Sequence, residues 1–197
     1  MGSALNLVVP QLTYLGIESR RVDDATIEAG RRGDRRAQAR LLSELQDVWY
    51  RFCLSQLRDS DRAADAAQET ALRFLKQLGA FRGESQLQTW SLGIALNVVR
   101  EMKRKRATPE LDDDQLATLH STAGSIDSEL QLQDETKMLR QTLDTLPDRQ
   151  REALVLRFFE EQSVEETAKV MGCAVGTVKA TVHQALRALR TKLMPSP

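Results

Sequence analysis

The sequence predicts an all-α protein of two small helical domains, on three observations. Apolar residues recur at spacings of three and four through most of the chain. Neither the alternation of a half-buried strand nor a hairpin signal such as Asn-Gly occurs. The charge also changes sign abruptly near the middle: residues 97–106 hold Arg100, Lys103, Arg104, Lys105 and Arg106 against Glu101, for a net of +4, whereas residues 107–136 hold eight acids and no Lys or Arg.

Before the sign change, helices are expected over 24–30, 35–57, 61–78 and 87–105. In the third, Ala67, Ala71, Phe74, Leu75 and Leu78 share one face at helical spacing, predicting a buried stripe with Asp61, Asp65, Gln68 and Glu69 on the opposite side. Pro109 and the polar run HSTAGS at 120–125 mark an acidic flexible linker over 107–129. After it, 130–144 is periodic and ends before Pro147, and 148–159 opens with an acidic first turn suited to a helix N-terminus. The chain is accordingly divided into an extension at 1–22 with no assigned role, a domain at 23–106, the linker, and a domain at 130–194.

Ser163 with Glu166 three residues on is a capping box, in which each side chain satisfies an orphan N–H of the other's backbone. That helix runs to Met171 and stops at Gly172. The next opens near Val175, with Val178, Val182, Leu186, Leu189 and Leu193 facing inward and Ala180, His183, Gln184 and Arg187 facing out. From 176 to 194 it carries Lys179, Arg187, Arg190 and Lys192 and no acid. Two helices, a short turn with Gly and a basic second helix form a helix-turn-helix, whose second helix enters the major groove. On this segment alone, an αα-hairpin with a solvated basic face is the other reading.

Composition excludes several functions. The 197 residues carry 28 Lys+Arg and 28 Asp+Glu, so any attraction to nucleic acid rests on local patches rather than on net charge. Cys53 and Cys173 form no CxxC or Cys/His cluster, which argues against zinc and fits two reduced thiols in a cytoplasmic protein. His120 and His183 belong to no triad or metal-ligand pattern and no phosphate-binding Gly-rich loop occurs, so no enzyme activity, catalytic residue, cofactor, metal or small-molecule substrate is expected. The apolar segment LNLVVPQLTYLG is interrupted by Pro10, lacks a basic region before it and is far short of the ~20 residues of a membrane span.

Taken together, the chain resembles the extracytoplasmic-function (group IV) sigma factors of bacterial RNA polymerase. Asp65-Ala-Ala-Gln-Glu-Thr-Ala-Leu-Arg-Phe is similar to their region 2.2 helix. Phe81-Arg-Gly-Glu-Ser, Thr89-Trp90 and Ile94-Ala-Leu-Asn97 are similar to regions 2.3 and 2.4. Leu146-Pro147 and the following helix are similar to region 4.1, and Gly176-Thr-Val-Lys to the start of the region 4.2 recognition helix. The likeness runs from about Asp23 to Leu193.

The resemblance implies an alternative sigma factor that binds core RNA polymerase, recognises the minus-thirty-five and minus-ten promoter elements, and acts in the cytoplasm. Asp65, Gln68 and Glu69 would dock on the polymerase, where a merely solvated acidic face is the alternative. Phe81, Arg82, Ser85 and Asn97 correspond to positions that capture a base from the melted minus-ten strand, which needs an aromatic wall and a polar group for the base edge; Phe81 as plain core is the alternative. Trp90 reads better as a core anchor. Arg100, Lys103, Arg104 and Lys105 would track phosphates upstream. Thr177, Lys179, Ala180, His183, Gln184 and Arg187 would face the double-stranded minus-thirty-five element. The acidic linker suits the polymerase channels it would thread, or serves as an ordinary tether. Many members have an anti-sigma factor, a candidate partner here, which would bind the apolar contact surfaces between the lobes.

The recognition helix departs from the family pattern. Arginines common there are Thr181 and Gln184, and a frequent Ser is Ala180. Gln184 can pair with adenine and Ala180 can touch a thymine methyl, and each lost bidentate contact forgoes roughly 1–3 kcal/mol of discrimination. The segment from 130 onward is therefore expected to bind promoter DNA poorly alone and to rely on tethering to polymerase. A stand-alone helix-turn-helix regulator would share this C-terminal module but has no use for a region 2.2-like helix.

Overall fold

The computed structural model describes residues 22–107 and 142–193; the extension, the acidic linker and most of the expected 130–144 helix lie outside the described residues. The helices are α1 (Asp24–Arg31), α2 (Arg35–Leu57), α3 (Ser60–Gln77), α4 (Leu87–Ala107), α5 (Asp148–Leu154), α6 (Val164–Met171) and α7 (Val175–Leu193), and no strand occurs among the described residues. A 3-10 turn, Leu78–Ala80, closes α3.

Aspartate sets the start of each of the first three helices by accepting orphan backbone N–H groups. Asp23 accepts from Thr26 at 2.8 Å, Asp34 from Ala37 at 2.8 Å, and Asp59 from Asp61 and Arg62 at 3.0 Å each. Gly30 lets α1 close onto α2, since a Cβ there would stand 2.8 Å from Leu41 Cδ1.

The first lobe packs α2, α3 and α4 around Trp49, Phe52, Phe74, Leu92 and Leu96, all fully buried. An aromatic chain runs outward from this core: Trp49 to Phe74 at 5.1 Å, Phe74 to Trp90 at 5.7 Å, and Trp90 to Phe81 at 5.2 Å between ring centroids. Trp49 donates its indole N–H to Ser91 Oγ at 2.9 Å, which satisfies the ring's one polar group in the core.

The buried stripe of α3 is rotated from the expected one. Ala63, Ala66, Thr70 and Phe74 are buried and Leu78 follows them, while Ala67, Ala71 and Leu75 are only half-buried. The reason is Thr70. Its hydroxyl donates to the Ala66 carbonyl at 2.7 Å, so the polar group is satisfied within its own helix and the methyl can face the core.

The expected helix over 148–159 changes character midway. After Leu154 the chain widens into a π-helical turn, Val155–Phe159, an insertion with no sequence mark. In α7 the inward face is centred on Val178, Ala185 and Leu189, with Val182 and Leu186 half-buried. The small Ala185, as fully buried as Val178, lies where α7 packs on α5.

The lobes share one continuous apolar cluster. Ala153, Val155, Leu156, Ala168, Val170, Met171 and Val178 join the first-lobe core, and α6 lies directly against α4. A smaller cluster of Leu143, Leu146, Leu154, Ala185 and Leu189 fills the second lobe.

Candidate polymerase and nucleic-acid interfaces

Asp65 and Gln68 are exposed on the outer face of α3, as the spacing predicts. Glu69 is half-buried and engaged: it accepts from Arg73 Nε at 2.6 Å, and the two terminal nitrogens of Arg73 each donate at 2.8 Å to Glu101 on α4. This fork is the bidentate geometry that guanidinium and carboxylate favour. Hydrogen bonding to Arg73 holds the Glu101 carboxyl below its usual range, and Glu101 with Glu69 holds the guanidinium more firmly charged. Sequence reasoning missed Leu72, which is 54% exposed on the same face. Its signal was its spacing, four residues beyond Gln68 and off the buried stripe.

The residues expected to capture a base, Phe81, Arg82, Ser85 and Asn97, line one cleft of about 660 Å³. Phe81 is buried to 6% exposure against Trp90, which is itself half-buried and sits between Phe74 and Phe81 with its ring tilted at 56° and 47° to theirs. Both rings thus belong to the core and form a wall of the cleft, so the two readings of Phe81 are not exclusive. Arg82 and Asn97 are exposed and Ser85 half-buried around them. The opposite side comes from the second lobe, where Lys169 to Gly172 complete the lining.

Two of the four expected phosphate-tracking cations point elsewhere, while Lys105 is exposed. Arg100 Nε and Nη2 donate to Glu152 at 3.2 and 2.7 Å, and Lys103 Nζ donates to Asp148 Oδ1 at 2.8 Å. Both acceptors lie on α5. Arg104 is exposed near the end of α4.

The helix-turn-helix forms from α6 and α7. Ser163 and Glu166 make the expected capping box, with reciprocal bonds of 2.8 and 3.1 Å, and the Ser163 N–H holds the Glu166 carboxyl below its usual range. Gly172 ends α6 in the left-handed conformation at φ 65°, where a Cβ would be strained. Thr177, Lys179, Ala180, His183, Gln184 and Arg187 are all exposed along α7. Four cations on this helix, Lys179, Arg187, Arg190 and Lys192, stand in solvent.

Burial also raises the carboxyls of Asp144 and Glu160, and no sequence motif singles out the second. Glu160 follows the π-helical turn and is 6% exposed. Its carboxyl is pushed up to about 7, mainly by loss of solvent, with Arg51 of α2 opposing and Glu161 adding to the rise.

Two family models match the chain, Sigma-70 region 2 over residues 41–108 and Sigma-70, region 4 over residues 136–189. The chain is 34% identical over 187 residues to the RNA polymerase sigma-H factor of Pseudomonas aeruginosa, covering 88% of this chain and 94% of that one. It is 38% identical over 136 residues to the ECF RNA polymerase sigma factor EcfG of Rhodopseudomonas palustris, covering 68% and 72%. Among solved structures it is similar to the sigma factor RpoE in complex with the anti-sigma factor NepR from Bartonella quintana. There the TM-score is 0.61 and the identity 27%, covering 81% of this chain and 98% of that one. The fold also matches CnrH in complex with the cytosolic domain of CnrY, with a TM-score of 0.66 at 20% identity over 88% and 97% of the two chains. With both regions present in order and the likeness spanning 94% of the sigma-H factor and 72% of EcfG, the chain belongs to the sigma-70 family of RNA polymerase sigma factors, in its extracytoplasmic-function group.

Proposed function

We propose that this chain is a promoter-specificity subunit that binds core RNA polymerase, reads the minus-thirty-five and minus-ten elements, and helps open the duplex, leaving the catalysis to polymerase. One observation carries the reading: regions 2 and 4 occur together in one chain, each with the outward face its task requires. No helix among the described residues is long and apolar enough to cross a membrane, consistent with work on cytoplasmic polymerase and DNA.

The outer face of α3 is the polymerase contact. Asp65 and Gln68 supply its polar points and Leu72 an apolar one, while Glu69 contributes through the Glu69–Arg73–Glu101 fork that fixes the face. The Phe81–Trp90 wall is the stacking surface for an extruded minus-ten base, a contact worth about 1–3 kcal/mol per base. Asn97 and Ser85 then meet the base edge and Arg82 the backbone. On α7, Lys179 and Arg187 hold phosphates while Gln184 reads a base. An anti-sigma factor, as in the RpoE structure, is the natural regulator.

The test combines purified protein with core polymerase and maps transcript starts. A complex that initiates at a defined promoter set is expected. DNA binding without any polymerase complex would overturn the reading in favour of a stand-alone helix-turn-helix regulator. Asp65→Arg probes the α3 face more cleanly than a change at Glu69, since it breaks no bond of the Arg73 fork; it should abolish complex formation while leaving helicity and melting temperature intact.

A further inference from the structure

The sequence holds a second stretch as basic as residues 97–106. Residues 31–40 carry Arg31, Arg32, Arg35, Arg36 and Arg40 against Asp34, again for a net of +4. They form the end of α1, the turn through Gly33 and the start of α2. Arg31 pairs with Glu28 of its own helix at 2.5 Å, and Arg40 reaches Asp23 at 3.5 Å. Arg32, Arg35 and Arg36 are exposed and take part in no ion pair among the described residues.

This placement is locally unfavourable. Arg35 and Arg36 occupy the first turn of α2, which holds no acid, although the N-terminal end of a helix carries positive partial charge and repels cations. Arg36 and Arg40 stand four residues apart on one helix face, a like-charge pair that weakens a helix. Asp34, the one acid in the stretch, is taken up as the helix cap and accepts the Ala37 N–H. Local stability therefore gives no reason for these cations. A polyanion outside the chain does, and the planar guanidinium is the group that grips a phosphate with two bonds at once.

The patch adjoins the cleft of Phe81 and Asn97. Helix α1 packs on the 78–80 turn, where a Cβ on Gly79 would stand 3.8 Å from the Arg31 carbonyl oxygen. Ala80, Phe81 and Arg82, which follow Gly79, line the cleft, and Asn97 and Arg100 of α4 line it further on. Arginines thus border the Phe81–Trp90 wall from α4 and from the α1–α2 turn. Single strands are held by this combination of aromatic rings for the bases and cations for the backbone.

We infer that the α1–α2 turn is a second phosphate-binding surface, in which Arg32, Arg35 and Arg36 hold the backbone of the melted promoter strand beyond the captured base, on the side away from α4. The inference rests on the reading of Phe81 and Asn97 as the site of base capture. Contacts of this kind go to phosphates, so they lengthen and orient the bound strand without reading its sequence. They also hold the strand away from its complement, which gives the turn a part in duplex opening.

The test uses the full chain in its polymerase complex, with a forked promoter DNA whose single-stranded arm begins at the minus-ten element and continues past the captured base. Beyond that base the arm carries either natural phosphates or neutral methylphosphonate linkages. On the natural arm, Arg32→Gln/Arg35→Gln/Arg36→Gln should bind more weakly than the unaltered protein. Its log–log salt slope should be shallower by about 2, since each phosphate of a single strand contributes ~0.7. On the neutral arm the two proteins should bind alike. Equal binding on the natural arm, or a deficit that persists on the neutral one, overturns the phosphate contact. So does a triple variant that no longer joins polymerase, which would make the turn a protein-docking surface instead. Because the variant removes repulsion, it should melt no lower than the unaltered protein; a fall in melting temperature would mean that the arginines serve the fold, and overturns the inference as well. Failure of the underlying reading shows separately and takes the inference with it: an abasic sugar in place of the captured base would then leave the affinity of the unaltered complex unchanged.

Discussion

Replacing Glu160 by Gln should flatten the dependence of stability on pH between 5 and 8. In the folded chain the carboxyl titrates at about 7, against an ordinary 4.5, because burial disfavours its charged form. Between these values the folded state keeps a proton that the unfolded state has released. By linkage, stability falls as pH rises through this window. At 1.36 kcal/mol per unit, the shift corresponds to about 2–3 kcal/mol lost between pH 5 and pH 8. For a protein of this size that is a fall of about 5–10 °C in melting temperature. The Gln variant carries a neutral side chain of the same shape at every pH, so its melting temperature should stay near the acidic value of the wild type. Thermal melts of both proteins at half-unit steps decide the matter. Glu101, Glu166 and Asp23 are held low, below this range, whereas burial also raises Asp144 against the pull of Arg58, so the difference between the two proteins isolates the part due to Glu160. If both proteins show the same slope, Glu160 is not the proton-binding group and the argument from its burial fails.

Phe74→Ala should lower stability by about 3–5 kcal/mol, seen as a reduced urea midpoint, because the ring is fully buried and links Trp49 to Trp90. The same change should weaken minus-ten melting by loosening the Trp90–Phe81 wall. On α7, Gln184→Ala should relax preference at one position of the minus-thirty-five element by about 1–3 kcal/mol, measured on single-base promoter variants with the polymerase complex. Lys179→Ala should instead weaken all sequences alike and reduce the salt slope by about 1.

Much of the helical framework is local, and the sequence carries it. The Asp59 cap, the Ser163–Glu166 box and the Gly172 stop each involve residues within four positions, so the start of α3 and both bounds of α6 follow from spacing alone. The outward placement of Asp65, Gln68 and Gln184 follows in the same way from the 3.6-residue period. Thr70 shows where that reasoning fails: a polar residue counts as outward until its hydroxyl is seen bonded to the Ala66 carbonyl.

By itself, then, the sequence determined the all-α class, the order of the described helices, the family and which of the named residues face outward on α3 and α7. What tertiary structure decided was pairing across distance. Arg100 and Glu152 are 52 residues apart and Thr89 and Gln162 are 73, with no periodicity to join them. Whether Arg100 faces solvent or an acid depends on how α5 docks on α4, and whether Glu160 is an ordinary acid depends on what α2 and the π-helical turn bury around it. Local hydrogen bonds and periodic burial fix a helix and its faces. Charge pairing and desolvation exist only once two such faces meet.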